Sequence, residues 1–149
     1  MDIYFAGTPN SAAEILKSLA SNDLFNIKGV ITQPDKKGKR GNQRIESPVS
    51  LMANSLNLQT YKPHNLTKEQ IQSDIDITNA DILLVVAYGN LIPAWILESN
   101  IKAINIHYSL LPSYRGASPI QSSLLNNDKK TGVTFMQMSE DFDAGKVIK

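Results

Sequence analysis

The sequence predicts an open, mostly parallel α/β sheet, Rossmann-like, with helices on both faces. Short apolar runs alternate with helix-spaced segments from the N-terminus onward, and no repeat or low-complexity linker divides the 149 residues. One run, Ile82 to Ala87, is apolar at every position, as expected of a parallel strand covered on both sides.

The elements follow in order. "DIYFAG" (Asp2 to Gly7) is an apolar run stopped by glycine, and "SAAEILKSLA" places Ala12, Ile15, Leu16 and Leu19 at helical spacing. Ser11 and Glu14 match the S-x-x-E capping box, in which each side chain satisfies a free backbone N–H of the first turn. "IKGVIT" (Ile27 to Thr32) predicts a second strand. "SPVSLMANSL" predicts a second helix with Pro48 near its start and Val49, Met52, Ala53 and Leu56 facing the core. "DILLVVAYG" then predicts the middle of the sheet, "AINIH" a further strand, "SPIQSSLL" a helix and "GVTFMQM" a β-rich run.

Composition narrows the function. At 16.4 kDa and 42% apolar residues the chain is sized for one domain with one core. A net charge of +1 provides no global field toward nucleic acid or anionic membranes, so any site for a polyanion must be local. Without cysteine, and with two histidines, neither disulfides nor a usual zinc centre is expected. No segment approaches the roughly 20 apolar residues of a membrane span, and the N-terminus has no leader pattern, so a cytoplasmic protein is expected.

Ligands of open α/β sheets collect at the carboxyl ends of the strands, which singles out four loops. "GTPN" has one glycine where the dinucleotide fingerprint needs three, so a tight strand-to-helix turn is its plainer reading and a nicotinamide cofactor is disfavoured. "QPDKKGKRGNQR" gathers Lys36, Lys37, Lys39, Arg40 and Arg44 against Asp35. Such residues can neutralise phosphates, although a solvated loop has the same composition. "AYGNLIP" offers Tyr88 as a wall for a flat heterocycle or as a core aromatic. In "NIHYSLLPSYRG", Asn105 and His107 are two apart, so on a strand their side chains leave one face. An amide and an imidazole so paired can donate to a developing oxyanion, and imidazole can move protons, yet the spacing alone also fits a structural histidine. His64 is expected at the surface.

The same stretch, read through "NIHYSLLPSYRGASPIQ", resembles the N-x-H-x-S-L-L-P-x-x-R-G-x-x-P signature of the folate-dependent formyltransferases related to glycinamide ribonucleotide transformylase. Within that family, "FAGTP", "TQPD", "SPV", "VVAYG", "KTGVTFMQM" and "FDAG" occur in an order similar to that of the methionyl-tRNA formyltransferases, along the whole chain. The resemblance implies that Asn105 and His107 polarise the formyl group of 10-formyltetrahydrofolate, the donor substrate, and that Asp143 supplies the carboxylate an isolated N-x-H lacks. It implies that Ser109, Leu110, Leu111 and Pro112 hold the folate, with Tyr88 and Gly89 in the loop on the other side of the pterin. It also implies that Lys36, Lys37, Lys39, Arg40 and Arg44 grip the acceptor arm of initiator methionyl-tRNA, in a monomer that needs no metal.

The chain departs from the pattern in places. Tyr108 stands where a small residue is expected, crowding the folate or pointing outward. The expected L-D-T-G-D is "FDAGK", with Ala144 and Lys146 in place of a hydroxyl and an acid. The family pattern continues past "KVIK" through more of the catalytic domain and a β-barrel domain. Residues 1–149 are therefore expected to be an incomplete catalytic domain without the barrel. The competing expectations are a noncatalytic remnant that binds folate or RNA weakly, a relative acting on a sugar nucleotide, and a small nucleotide-binding module, the last disfavoured by the missing glycines.

Overall fold

The computed structural model describes residues 1–38, 44–68 and 75–149. Its elements are β1 (Asp2–Gly7), α1 (Asn10–Ala20), β2 (Asn26–Ile31), β3 (Lys36–Lys37), β4 (Arg44–Ile45), α2 (Pro48–Ser55), β5 (Thr60–Tyr61), β6 (Ile82–Val86), α3 (Ala94–Leu97), β7 (Lys102–His107), α4 (Pro119–Leu125) and β8 (Thr134–Gln137). Six strands form one sheet in the order β5-β2-β1-β6-β7-β8, and β3 pairs with β4 in a separate hairpin. The first five strands of the sheet run parallel, and β8 is antiparallel to β7. The expected open, mostly parallel sheet is therefore present, with β1 and β6 at its centre.

Alternation across the pleat explains the unbroken apolar run of β6. Leu84 and Val86 face α1 and α2 with Phe5, Leu16, Val30, Val49 and Ala53. Leu83 and Val85 face the other way, with Ala6, Ile31 and the α3 residue Ile96. Both faces are covered, so no position along β6 can be polar without burying an unpaired group. Gly7 is required where β1 turns into α1. A Cβ there would come within 2.8 Å of the Phe5 ring, 2.9 Å of Ala12 and 3.0 Å of the Val86 carbonyl.

The start of α1 differs from expectation. The helix begins at Asn10, its N-cap is Pro9 in an extended conformation, and no side chain caps it. Ser11 therefore already lies inside the first turn, where its hydroxyl cannot reach forward as a cap, and the Pro9 carbonyl accepts the first helical bond from Ala13 N at 3.0 Å. The capping box is not formed. At α2 a single side-chain cap is formed instead: the Ser47 hydroxyl accepts from Ser50 N at 3.0 Å, and Pro48 takes the first helical position.

The base of the β3–β4 hairpin is tied by charge. Lys62 Nζ lies 2.7 Å from Asp35, just before β3, and 2.9 Å from Glu46, just after β4. Glu46 also accepts from Ser50 Oγ at 2.6 Å. That bond first, and the Lys62 ammonium second, hold the Glu46 carboxyl below its ordinary value of 4.5. Burial alone would lower the Lys62 ammonium, but its hydrogen bonds to Asp35 and Glu46 outweigh that and raise it. A depressed carboxyl contributes stability above its unfolded value and loses it as pH falls through the folded one. Hairpin protection in hydrogen exchange is thus expected to decline as pH drops below about 4.5, and Glu46→Gln should remove that part of the pH dependence; an unchanged profile in the variant would refute the tie.

Candidate active site

The parallel register of β6 and β7, and the antiparallel register of β7 and β8, set Val85, Asn105 and Met136 side by side on one face. Asn105 and His107 leave β7 on that face. Beyond β8 the chain returns through Ser139 to Asp143, and the Asp143 carboxylate reaches both. Its Oδ1 accepts from Asn105 Nδ2 at 3.2 Å, and its Oδ2 lies 3.5 Å from His107 Nδ1. The Gly116 backbone N–H donates to the same Oδ2 at 2.7 Å. The other ring nitrogen, His107 Nε2, lies 2.8 Å from the Tyr114 carbonyl. A carbonyl only accepts, so Nε2 carries a proton.

Asn105, His107, Gly116 and Asp143 line a cavity of about 700 Å³ at the carboxyl ends of β6 and β7, with Val85, Ile92 and Met136 supplying apolar surface. His107 is 6% exposed, and the Asp143 side chain is 14% exposed. An amide, an imidazole and a carboxylate thus converge at the edge of a large, mostly apolar cavity, the usual form of a site for a flat organic ligand. Such a set can present N–H donors to an oxygen acquiring charge and can move a proton between ring and acid. Among the described residues no cluster of side chains suits a metal ion.

The remaining expected residues fall in three places. Tyr88 and Gly89 lie along the cavity, but the Tyr88 ring is 1% exposed and packs into the core with Ala6 and Ile31. Its carbonyl accepts from Thr8 Oγ1 at 2.7 Å, which joins the first loop to the third. Gly89 has φ +84, and a Cβ there would come within 2.5 Å of the Gln33 amide. Ser109, Leu110, Leu111 and Pro112 are absent from the cavity lining. They brace the loop that carries Tyr114: Thr134 Oγ1 donates to Ser109 O at 2.7 Å and accepts from Leu111 N at 3.1 Å, and Ser109 Oγ donates to Ser113 O at 2.5 Å. The basic residues Lys36, Lys37 and Arg44 are exposed on the hairpin, outside the cavity, and Lys39 and Arg40 lie outside the described residues.

Tyr108 packs with Ile106 against the α1–α2 core on the opposite face of β7 from Asn105 and His107, and the residue also borders the cavity. Ala144 and Lys146 are exposed, and the Lys146 carbonyl accepts from Gln137 N at 2.9 Å, so "KVIK" runs alongside β8. His64 is exposed, as expected. The groups that residue types did not reveal are two from the backbone, the Tyr114 carbonyl and the Gly116 N–H. Only the positive φ of Gly116, +98, is of a kind that a sequence marks.

Fold and site together define an α/β domain with a ligand-sized cavity at the carboxyl ends of a parallel sheet. The formyl transferase family model matches residues 1–149, and the chain belongs to that family. Solved structures share its fold. Phosphoribosylglycinamide formyltransferase from Anaplasma phagocytophilum superposes with a TM-score of 0.77 at 23% identity, over 99% of this chain and 69% of the other. Glycinamide ribonucleotide transformylase 1 from Symbiobacterium toebii gives 0.74 at 17% identity, over 100% and 71%. A sugar N-formyltransferase from a Shewanella species gives 0.66 at 20% identity, over 99% and 55%.

Proposed function

We propose that this chain carries the site of formyl transfer from 10-formyltetrahydrofolate to a primary amine, and that the amine is the α-amino group of methionine esterified to initiator tRNA. The observation that carries the reaction is the convergence of Asn105, His107 and Asp143 at the cavity edge within a formyl transferase domain. The amine attacks the formyl carbon, and the carbonyl oxygen gains negative charge. The new C–N bond forms, the bond from carbon to the folate nitrogen breaks, and one proton passes from the attacking nitrogen to the leaving one. Asn105 Nδ2, which has a second N–H besides the one given to Asp143, is the donor for the oxyanion, and His107 Nδ1, facing Asp143, accepts and returns the proton. The cavity, walled by Val85, Ile92 and Met136, suits the pterin. Ser109 to Pro112 serve the folate through the loop they brace.

The choice of acceptor rests on the exposed basic hairpin and the methionyl-tRNA-like order of the sequence motifs. A sugar-nucleotide acceptor is the second reading, favoured by the likeness to a sugar N-formyltransferase. The test incubates the chain with 10-formyltetrahydrofolate and, separately, methionyl-tRNA, an amino-sugar nucleotide or glycinamide ribonucleotide. Formyl-methionyl-tRNA as the sole product supports the proposal. Transfer to another amine alone replaces the acceptor, and folate binding without transfer to any amine favours the noncatalytic remnant.

A further inference from the structure

His107 is flanked by two acceptors, one on each ring nitrogen, and each belongs to a non-glycine residue held in left-handed backbone: Tyr114 at φ 56 and Asp143 at φ 47. Such a conformation is unfavourable for a residue with a side chain and persists only where surrounding contacts enforce it. For Asp143 the enforcing contacts are Asn105 and Gly116. For Tyr114 they lie on the far side of the loop. The Tyr114 hydroxyl donates to Asp128 Oδ2 at 2.6 Å and accepts from Asn126 Nδ2 at 3.2 Å, just beyond the end of α4. The carboxylate holds the phenol proton firmly enough to raise Tyr114 above its ordinary value.

We infer that Tyr114, anchored by Asp128 and Asn126, is a positioning residue that holds the proton of neutral His107 on Nε2 and so turns Nδ1 toward Asp143. The chain of contact runs from the end of α4, through the Tyr114 ring and its own carbonyl, to the imidazole. Neither Tyr114 nor Asp128 lines the cavity, so the effect on a substrate is exerted through His107 alone. The expectation for turnover rests on the formyl-transfer reading, whereas the expectation for the proton position does not.

The test uses the intact chain labelled with 15N at histidine. Only His64 and His107 contribute signals, and exposed His64 serves as an internal reference. In the neutral ring, His107 is expected as a single Nε2–H tautomer. Tyr114→Phe and Asp128→Ala should give a mixture of tautomers, and Asp128→Asn, which keeps an acceptor oxygen, should restore most of the preference. With the acceptor found to be active, Tyr114→Phe should lower kcat about tenfold with KM for the formyl donor unchanged, since small misplacements of a catalytic group cost rate rather than binding. An Nδ1–H tautomer in the parent chain, or the same single tautomer in both Tyr114→Phe and Asp128→Ala, would overturn the inference. If the chain formylates no amine, the formyl-transfer reading fails by itself, and a single Nε2–H signal in the parent that becomes mixed in the two variants still supports the inference.

Discussion

Alanine in place of His107 is expected to lower formyl transfer on the order of 100- to 1,000-fold, within the range that a positioned proton-transfer group contributes. Asp143→Ala should fall as far for a different reason. Its carboxylate accepts from Asn105 and Gly116 and faces His107, so its removal leaves three groups without their common acceptor. Asp143→Asn separates charge from shape. The amide keeps the volume and one acceptor oxygen, but its NH2 would meet either the Gly116 N–H or the Asn105 amide, each already a donor. A large loss in Asp143→Asn as well would assign the role to the charge and its accepting geometry. Because the three residues act as one unit, the His107→Ala, Asp143→Ala double variant should be little worse than either single one. Single-turnover rates with saturating donor measure the effect. Near-normal turnover in either single alanine variant would remove these residues from the chemistry.

The sheet was legible because burial on both faces leaves a plain mark: Ile82 to Val86 must be apolar throughout. The start of α2 was legible from Pro48, whose fixed φ suits a first helical position, whereas the Ser47 cap emerged only from the structure. The Ser11–Glu14 match misled, since a four-residue pattern carries no record of the turn before it, and with Pro9 as the cap the helix begins two residues earlier than that match implies. The direction of Tyr108 was available from parity alone, as it lies two residues from Ile106 and one from His107. Within the site, spacing paired Asn105 with His107, while Asp143 came only from family likeness, because 36 residues separate it from His107 and only the return of β8 closes that distance. The Tyr114 carbonyl could not be found that way. Every residue has a carbonyl, and a left-handed tyrosine looks like any other. The Lys62 tie between Asp35 and Glu46 was hidden for a similar reason, three ordinary charged residues brought together by β5 lying beside β2.

Neutralising Lys36, Lys37 and Arg44 together is expected to weaken binding of methionyl-tRNA more than tenfold at low salt while leaving KM for the formyl donor unchanged. The three side chains are exposed on a two-stranded hairpin, with Lys37 directly opposite Arg44, and none lines the cavity. Each phosphate neutralised by a basic side chain adds about 0.7–0.9 to the slope of log affinity against log salt concentration. Loss of three contacts should therefore flatten that slope by about 2–3. Arg40→Ala should act in the same direction with about a third of the effect on slope. The tie from Lys62 to both stems matters here, because charge on a fixed hairpin meets a backbone in one register, whereas charge on a free loop must first be ordered. Lys62→Met should thus weaken tRNA binding without removing a phosphate contact, lowering affinity while leaving the salt slope as it is. Equal losses for tRNA and folate in the triple variant, or a salt slope identical to that of the parent chain, would separate the hairpin from tRNA recognition and turn the search for the acceptor toward smaller amines.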